Sequence, residues 1–546
     1  MTIRVFAFDD EHQVPRGTTA GDLLAQLGVE PQSLLAASLN QHLVGLDAVL
    51  GDGARLAPVF VHQRDARAVL RRTSALLLQA AAAQVMPSMR LVVGQTLLGG
   101  HYYEVLGADH DLGDLREQLV AAMRALIEED ATIVRSRVPV ETAPKVLDDE
   151  AGTKLRLLRA WPTPFVPIVR LGGFADIQHG PIAPSLRFVR DVALDTYEPG
   201  LLLYPPGTSK PDPDRKSTAL YATYREARDW NRRVGVETVG DLNSVVLDDR
   251  ADEIVRVAEA LHEKKIAELA DAIARRRDRV RFVLVAGPSS SGKTTFVRRL
   301  SVQLRVNGIT PVAIGLDDYY RDRTETPRDE TGELDFEALE ALDLPMIDRH
   351  IEALADGKTI EVPRFDFKIG GRAPEPGRKL QLEPNQVALV EGIHGLNPRL
   401  TEAAPEGSCF RIYINALTQL VIDDHNRIFT ADGRLLRRIV RDRRYRNTRA
   451  DETIARWPSV RRGEERHIFR WDEEADATFN STLFYETAVL KIFAWRYLLE
   501  VPHNHPSRSE AHRLLRFLEL FVPLFPDAVP ATSVLREFIG GSGFEY

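Results

Sequence analysis

Only one of the 546 residues is cysteine, Cys409, so no intrachain disulfide can form and a reducing cytoplasm is the expected compartment. Positive charge is not in excess. The chain has 71 Lys and Arg against 79 Asp and Glu, a formal net charge of −8. That excludes a surface coated in basic charge for bulk nucleic-acid binding, although it leaves room for a local basic groove. No apolar run approaches the length of a membrane span, and the first residues show no basic-then-apolar signal pattern. With 44% apolar residues, the chain is long enough for roughly two to four domains, each with its own core. It reads as soluble, multidomain and away from membranes.

The strongest pattern is Gly287-Pro-Ser289-Ser290-Ser291-Gly292-Lys293-Thr294. The apolar run Phe282 to Ala286 leads into it, and Thr295 to Leu300 continues as a predicted helix. Strand, Gly-rich loop and helix are the context that a phosphate-binding P-loop requires. Successive backbone N–H groups wrap a polyphosphate, the helix N-terminus adds partial positive charge, and Lys293 reaches the outer phosphates. Thr294 then offers its hydroxyl to Mg²⁺, with Thr295 beside it.

Two further buried strands are predicted downstream. One, from Pro311, delivers Asp317 and Asp318 at its end; the other, from Val387, ends in Glu391. Acidic residues at strand ends facing a P-loop hold Mg²⁺ or accept a proton from an attacking hydroxyl, and they can also be plain helix caps. Between Arg434 and Arg449 stand eight arginines and a single acid. This segment reads as a lid over phosphates, with a solvated basic helix or an RNA contact as alternatives.

The first half reads differently. Thr2 to Phe8 alternates like a strand, Thr18 to Leu27 opens a short helix, and Gly51-Asp-Gly53 turns into a closing strand, Arg55 to Phe60. A long helix runs from Arg64 through Gln84, followed by Gly99-Gly-His101-Tyr102-Tyr-Glu104 and Asp176-Ile-Gln178-His179-Gly-Pro-Ile182-Ala-Pro-Ser185. This order resembles the TGS domain and the second additional domain of threonyl-tRNA synthetases. The family's hydrolytic ligands are missing, since its three His and one Cys fall on Thr73, Leu77, Gln178 and Ile182, none of which can replace an imidazole or thiolate. The resemblance therefore implies a retained fold with a lost hydrolytic site. Two uses stay open: an RNA, tRNA or small-ligand contact in the old cleft through His101, Tyr102, Asp176 and His179, or a structural and regulatory appendage.

Residues 280 to 500 resemble the uridine/cytidine kinase and phosphoribulokinase family. The matches are the P-loop, Leu316-Asp317-Asp318-Tyr319-Tyr320, Pro363-Arg-Phe365-Asp-Phe367 with Arg372, Val390-Glu391-Gly392-Ile393, and the arginine-rich helix. The resemblance implies ATP and Mg²⁺ as cofactors and a nucleoside-like small-molecule acceptor. Asp317 becomes the general base, Asp335 a partner for the acceptor's sugar hydroxyls, and Phe365 and Phe367 stacking surfaces with Arg372 beside them. Thr294 and Glu391 become the metal site, and Arg438, Arg441, Arg446 and Arg449 the lid. Where the family has a His that addresses the pyrimidine, this chain has Gly370. The Asn-Lys-x-Asp guanine signature is absent. The alternative class is a nucleotide-dependent RNA-binding or regulatory P-loop protein.

The expected fold class is α/β and multidomain: a β-grasp, TGS-like domain over 1–61, an α+β synthetase-editing-like domain over 62–245, a connecting helix over 246–279, and a doubly wound, parallel-sheet P-loop kinase domain over 280–546. Asp423-Asp424-His425 reads as a solvated turn before a metal site. His503, His505 and His512 lack a cysteine for zinc. Leu514, Leu515, Phe517, Leu518, Leu520 and Phe521 form helical core or an oligomer face.

Overall fold

The structure is a computed structural model and describes every residue except 108–110, 150, 209, 211–216, 329–331, 333, 367, 368 and 546. At the start of the chain, strands Thr2–Ala7 and Asp10–Pro15 pair antiparallel, while Ala54–Phe60 lies parallel beside the first. They belong to a five-stranded sheet on which the helix Ala20–Gln26 packs Leu23 and Leu24. A capping box between Thr19 and Asp22 starts that helix.

The next stretch packs the helix Ala66–Val85 against a four-stranded and a three-stranded antiparallel sheet. Thr73, Leu77 and Ile182 are buried there, and the Thr73 hydroxyl accepts from the Ala183 amide at 2.9 Å. The positions that lack imidazole and thiolate are thus filled by close packing.

The second half centres on β1 (Phe282–Ala286), α1 (Lys293–Val306), β2 (Thr310–Gly315), β3 (Gln386–Glu391), β4 (Cys409–Asn415), α2 (Thr430–Tyr445), α3 (Ala450–His467) and β5 (Ala477–Asn480). The five strands form a parallel sheet in the order β2-β3-β1-β4-β5. Both faces are covered, and alternation along β1 shows it: Phe282 and Leu284 enter one core while Val283 and Val285 enter the other. The helix Ala251–Ala274, expected as a connector, supplies Ile266, Leu269, Ala270 and Ile273 to the second of these cores. It is a covering layer of the sheet as well as a link.

The two halves share a core. One apolar cluster holds Leu157, Val166 and Ile177 from the first half together with Leu435, Ile439, Tyr485, Leu514 and Leu518 from the second, so the apolar stripe at 514–521 is internal packing.

Asp423-Asp-His425 is not a solvated turn. It forms the hairpin of strands Val421–Asp423 and Asn426–Arg427, buried against the first half. His179 Nε2 lies 3.1 Å from Asp423, His425 Nδ1 lies 2.9 Å from Asp176, and Arg90 pairs with Asp424 at 2.9 Å. Asp176 also holds the buried Lys154 at 3.0 Å. Of the four groups that the open-cleft reading named, Asp176 and His179 are therefore engaged by the hairpin, while the Tyr102 hydroxyl lies 3.3 Å from that of Tyr221. His512 stacks on His42 with ring centroids 3.8 Å apart. Among the described residues no cluster of three or more His, Cys, Asp or Glu is arranged to hold a metal ion, and no helix is long and apolar enough to cross a membrane.

Asp176→Ala leaves Lys154, 1% exposed, without its carboxylate and should cost about 3–5 kcal/mol. Urea denaturation measures this, and the double change Lys154→Met with Asp176→Leu should recover most of it.

Candidate active site

β1 ends at Ala286, where the chain turns against β4. A Cβ on Gly287 would lie 2.1 Å from the Ile414 carbonyl oxygen, so glycine alone fits. Ser290 (φ 60°) and Gly292 (φ 78°) take left-handed backbone, which builds a concave run of amides before α1 begins at Lys293. Lys293 Nζ donates to the carbonyls of Gly287 (2.9 Å) and Pro288 (3.1 Å). The Ser290 and Ser291 hydroxyls are buried and have no hydrogen-bond partner among the described residues. Orphaned hydroxyls, a lysine and a helix N-terminus fit a polyphosphate.

The strand ends bring the acids to the same place. Glu391 closes β3, in register with Val285 of β1 and Gly315 of β2, and Asp317 follows in the next turn. Thr294 Oγ1 donates to Glu391 Oε1 at 2.8 Å, a hydroxyl and carboxylate pair suited to Mg²⁺. Burial pushes the Glu391 and Asp317 carboxyls above their usual range, with Lys293 opposing both. Burial pulls the Lys293 ammonium down, and Glu391 and Asp317 oppose that in turn.

On the acceptor side, Asp335 receives the Glu337 amide at 3.1 Å and lies 3.7 Å from His467. Phe365 is buried, stacked near Tyr320 with centroids 5.8 Å apart, so it is core more than open stacking surface. Phe367 lies outside the described residues. Arg372 pairs with Asp343. Gly370 explains its own departure from histidine: it turns the hairpin at φ 71°, and a Cβ would lie 2.2 Å from Arg323 Nε.

The arginine helix α2 is built into the core. Leu435, Leu436, Ile439 and Val440 are buried, and so are Arg434 and Arg437, paired with Glu464 and Glu486. The segment that reads as a lid over phosphates is anchored by these apolar and ionic contacts. Arg438 Nη1 donates to Ser289 Oγ at 2.9 Å, and Arg441 lies 3.5 Å from Glu537. Arg446 pairs with Asp442 at 3.3 Å, and its charge reaches Asp317. Arg449 turns to Asp451 and the Glu500 carbonyl, away from the loop.

Three acids escaped the sequence reading. Glu464 receives the Ser289 amide at 3.0 Å, and Glu537 receives the Thr295 hydroxyl at 2.8 Å. Glu337 is pushed up to about 7, first by burial and then by Glu464, against Arg438 and Lys293. Its one sequence signal is its place two residues after Asp335.

A Gly-rich loop between a parallel strand and a helix, with a lysine inside it and acids at neighbouring strand ends, defines a P-loop nucleotide-binding domain. Residues 282–488 match the Phosphoribulokinase / Uridine kinase family. The uridine kinase of Oceanobacillus iheyensis is 30% identical over 171 residues, 31% of this chain and 71% of that protein. That of Brevibacillus brevis is 29% identical over 176 residues, 32% of this chain and 72% of that protein. The chain belongs to the phosphoribulokinase and uridine kinase family. It is also similar to the threonine–tRNA ligase of Clostridioides difficile, 29% identical over 169 residues, 30% of this chain and 26% of that protein.

Because the folded-state value of Glu337 is raised, the protonated carboxyl favours the fold. That contribution is complete below the ordinary value of 4.5 and is lost as pH rises through about 7. Glu337→Gln lacks this loss, so its melting temperature relative to the parent should be higher at pH 8 than at pH 5. Paired thermal melts measure the difference.

Proposed function

We propose that the chain transfers the γ-phosphoryl group of ATP to a hydroxyl of a small, nucleoside-like acceptor, most simply the 5′-hydroxyl. The observation that carries this is the convergence of Lys293, the Thr294 and Glu391 pair, and Asp317 at one end of three adjacent parallel strands. Phosphoryl transfer asks chiefly for in-line placement and neutralised oxygens. The loop amides from Gly287 to Thr295, the hydroxyls of Ser290 and Ser291, and Lys293 would hold the donor. Thr294 and Glu391 would hold Mg²⁺, which would supply neutralising charge at the phosphate oxygens. Arg438, Arg441 and Arg446 would complement the donor's negative charge with guanidiniums.

Asp317 takes the proton of the acceptor hydroxyl as it attacks. Burial raises its pKa, which makes it a better base than an ordinary carboxylate, and Lys293 opposes that rise. Asp335 and Glu337 offer carboxyls to the acceptor's own hydroxyls, a chemistry that suits a ribose. Two of the relatives named above are uridine kinases, which supports a nucleoside, while Gly370 and the buried Phe365 leave a different pyrimidine contact from a histidine-bearing site. The first half acts as a brace for α2 through the hairpin that ends at Arg427, with RNA binding as the competing use.

The test is ADP release from the whole protein with Mg²⁺ and ATP, across ribo- and deoxynucleosides, sugar phosphates and RNA. One small acceptor should raise the rate far above background; stimulation by RNA alone would overturn the reading. Lys293→Ala should lower kcat/KM for ATP by about 10²-fold or more. Asp317→Asn should keep ATP binding and lower kcat by about 10²- to 10⁴-fold. Normal turnover in Asp317→Asn would remove the base assignment.

A further inference from the structure

The end of the chain lies on the phosphate loop. A Cβ on Gly292 would come 2.4 Å from Val534 Cγ1. Three residues further on, Glu537 Oε2 accepts from the Thr295 hydroxyl at 2.8 Å and from the Thr295 amide at 3.4 Å. Thr295 is the third residue of α1 and so lies in the first turn of the helix. Arg441 Nη1 stands 3.5 Å from the other oxygen of Glu537, and Lys293 feels the same charge. Two N–H or O–H donors at a helix N-terminus and a guanidinium thus converge on one buried carboxylate. That arrangement selects an anion, and a donor phosphate needs the same groups.

We propose that Glu537 is a built-in stand-in for a nucleotide phosphate and sets the affinity for the donor. This rests on the reading of the loop as a nucleotide site. Two anions cannot share the Thr295 donors in a water-poor cleft, so the nucleotide gains them only by displacing the carboxylate. The segment that carries Glu537 has other anchors. Arg536 donates to the carbonyls of Pro526 at 2.8 Å and Val529 at 2.6 Å, and Phe538 and Ile539 are buried. Displacement therefore works against packing, which keeps donor affinity below what the loop alone would give. In a merely structural role, Glu537 would only cap Thr295, and removing its charge would lower stability without helping the nucleotide.

The experiment uses the full chain and a non-hydrolysable ATP analogue with Mg²⁺, titrated by calorimetry into the parent, Glu537→Gln and Glu537→Asp. Glu537→Gln keeps the shape and loses the charge, and Glu537→Asp withdraws the carboxylate by one methylene. Both should bind the analogue more tightly, Glu537→Gln by on the order of tenfold. Hydrogen exchange in the parent should speed up over residues 533–543 when the analogue binds. Equal or weaker binding in both variants overturns the proposal, as does slower or unchanged exchange in that segment. Neither readout requires phosphoryl transfer. Tighter analogue binding without acceptor-dependent ADP release would keep this inference and remove the kinase reading, and the reverse pattern would do the opposite.

Discussion

The phosphate loop depends on two buried ion pairs. Glu464 receives the Ser289 amide while Arg434, paired with Glu464, donates to the Ser289 carbonyl. Arg437, paired with Glu486, donates to the Ser290 carbonyl at 3.2 Å. Each charge is taken out of water, and each is compensated by its partner and by loop backbone, which is the condition under which buried pairs are tolerated. The consequence is geometric: α2 and α3 grip the loop from 145 to 175 residues downstream. A loop held in this way is preorganised for phosphate, since less ordering remains to be done when the ligand arrives.

The same helix links the site to the first half. The hairpin ending at Arg427 precedes α2 by two residues, and its groups are held by Asp176, His179, Arg90 and Gln95. Lys154 and Asp176 complete a buried polar network there. Networks of this kind specify one arrangement, because any slip leaves a charge unpaired in low dielectric. The first half is thus in direct polar contact with the hairpin that leads into α2.

Local readings survived where chemistry is local. The order of strand, glycine loop and helix at 282–306 follows from apolar run, glycine spacing and helix start, and the structure has those elements with β1 buried throughout. The helix Ala66–Val85 and the early strands were likewise readable from periodicity. Asp423-Asp-His425 was not, since three polar residues in a row look solvated until another part of the chain supplies Asp176 and His179. The arginines of α2 misled for a related reason. Density of charge suggested side chains facing phosphate, RNA or solvent, whereas Arg434 and Arg437 are among the most buried side chains of the described residues because Glu464 and Glu486 neutralise them. Glu337, Glu464 and Glu537 carry no motif.

By itself, then, the sequence determined the phosphate loop and the acids Asp317 and Glu391 at strand ends, because residue type and short spacing decide both. Only the tertiary structure decided which arginines face the loop, which carboxylates brace it, and that the end of the chain places Glu537 on Thr295. Those contacts join residues 30 to 242 positions apart, and their existence depends on how the sheet and the helices pack.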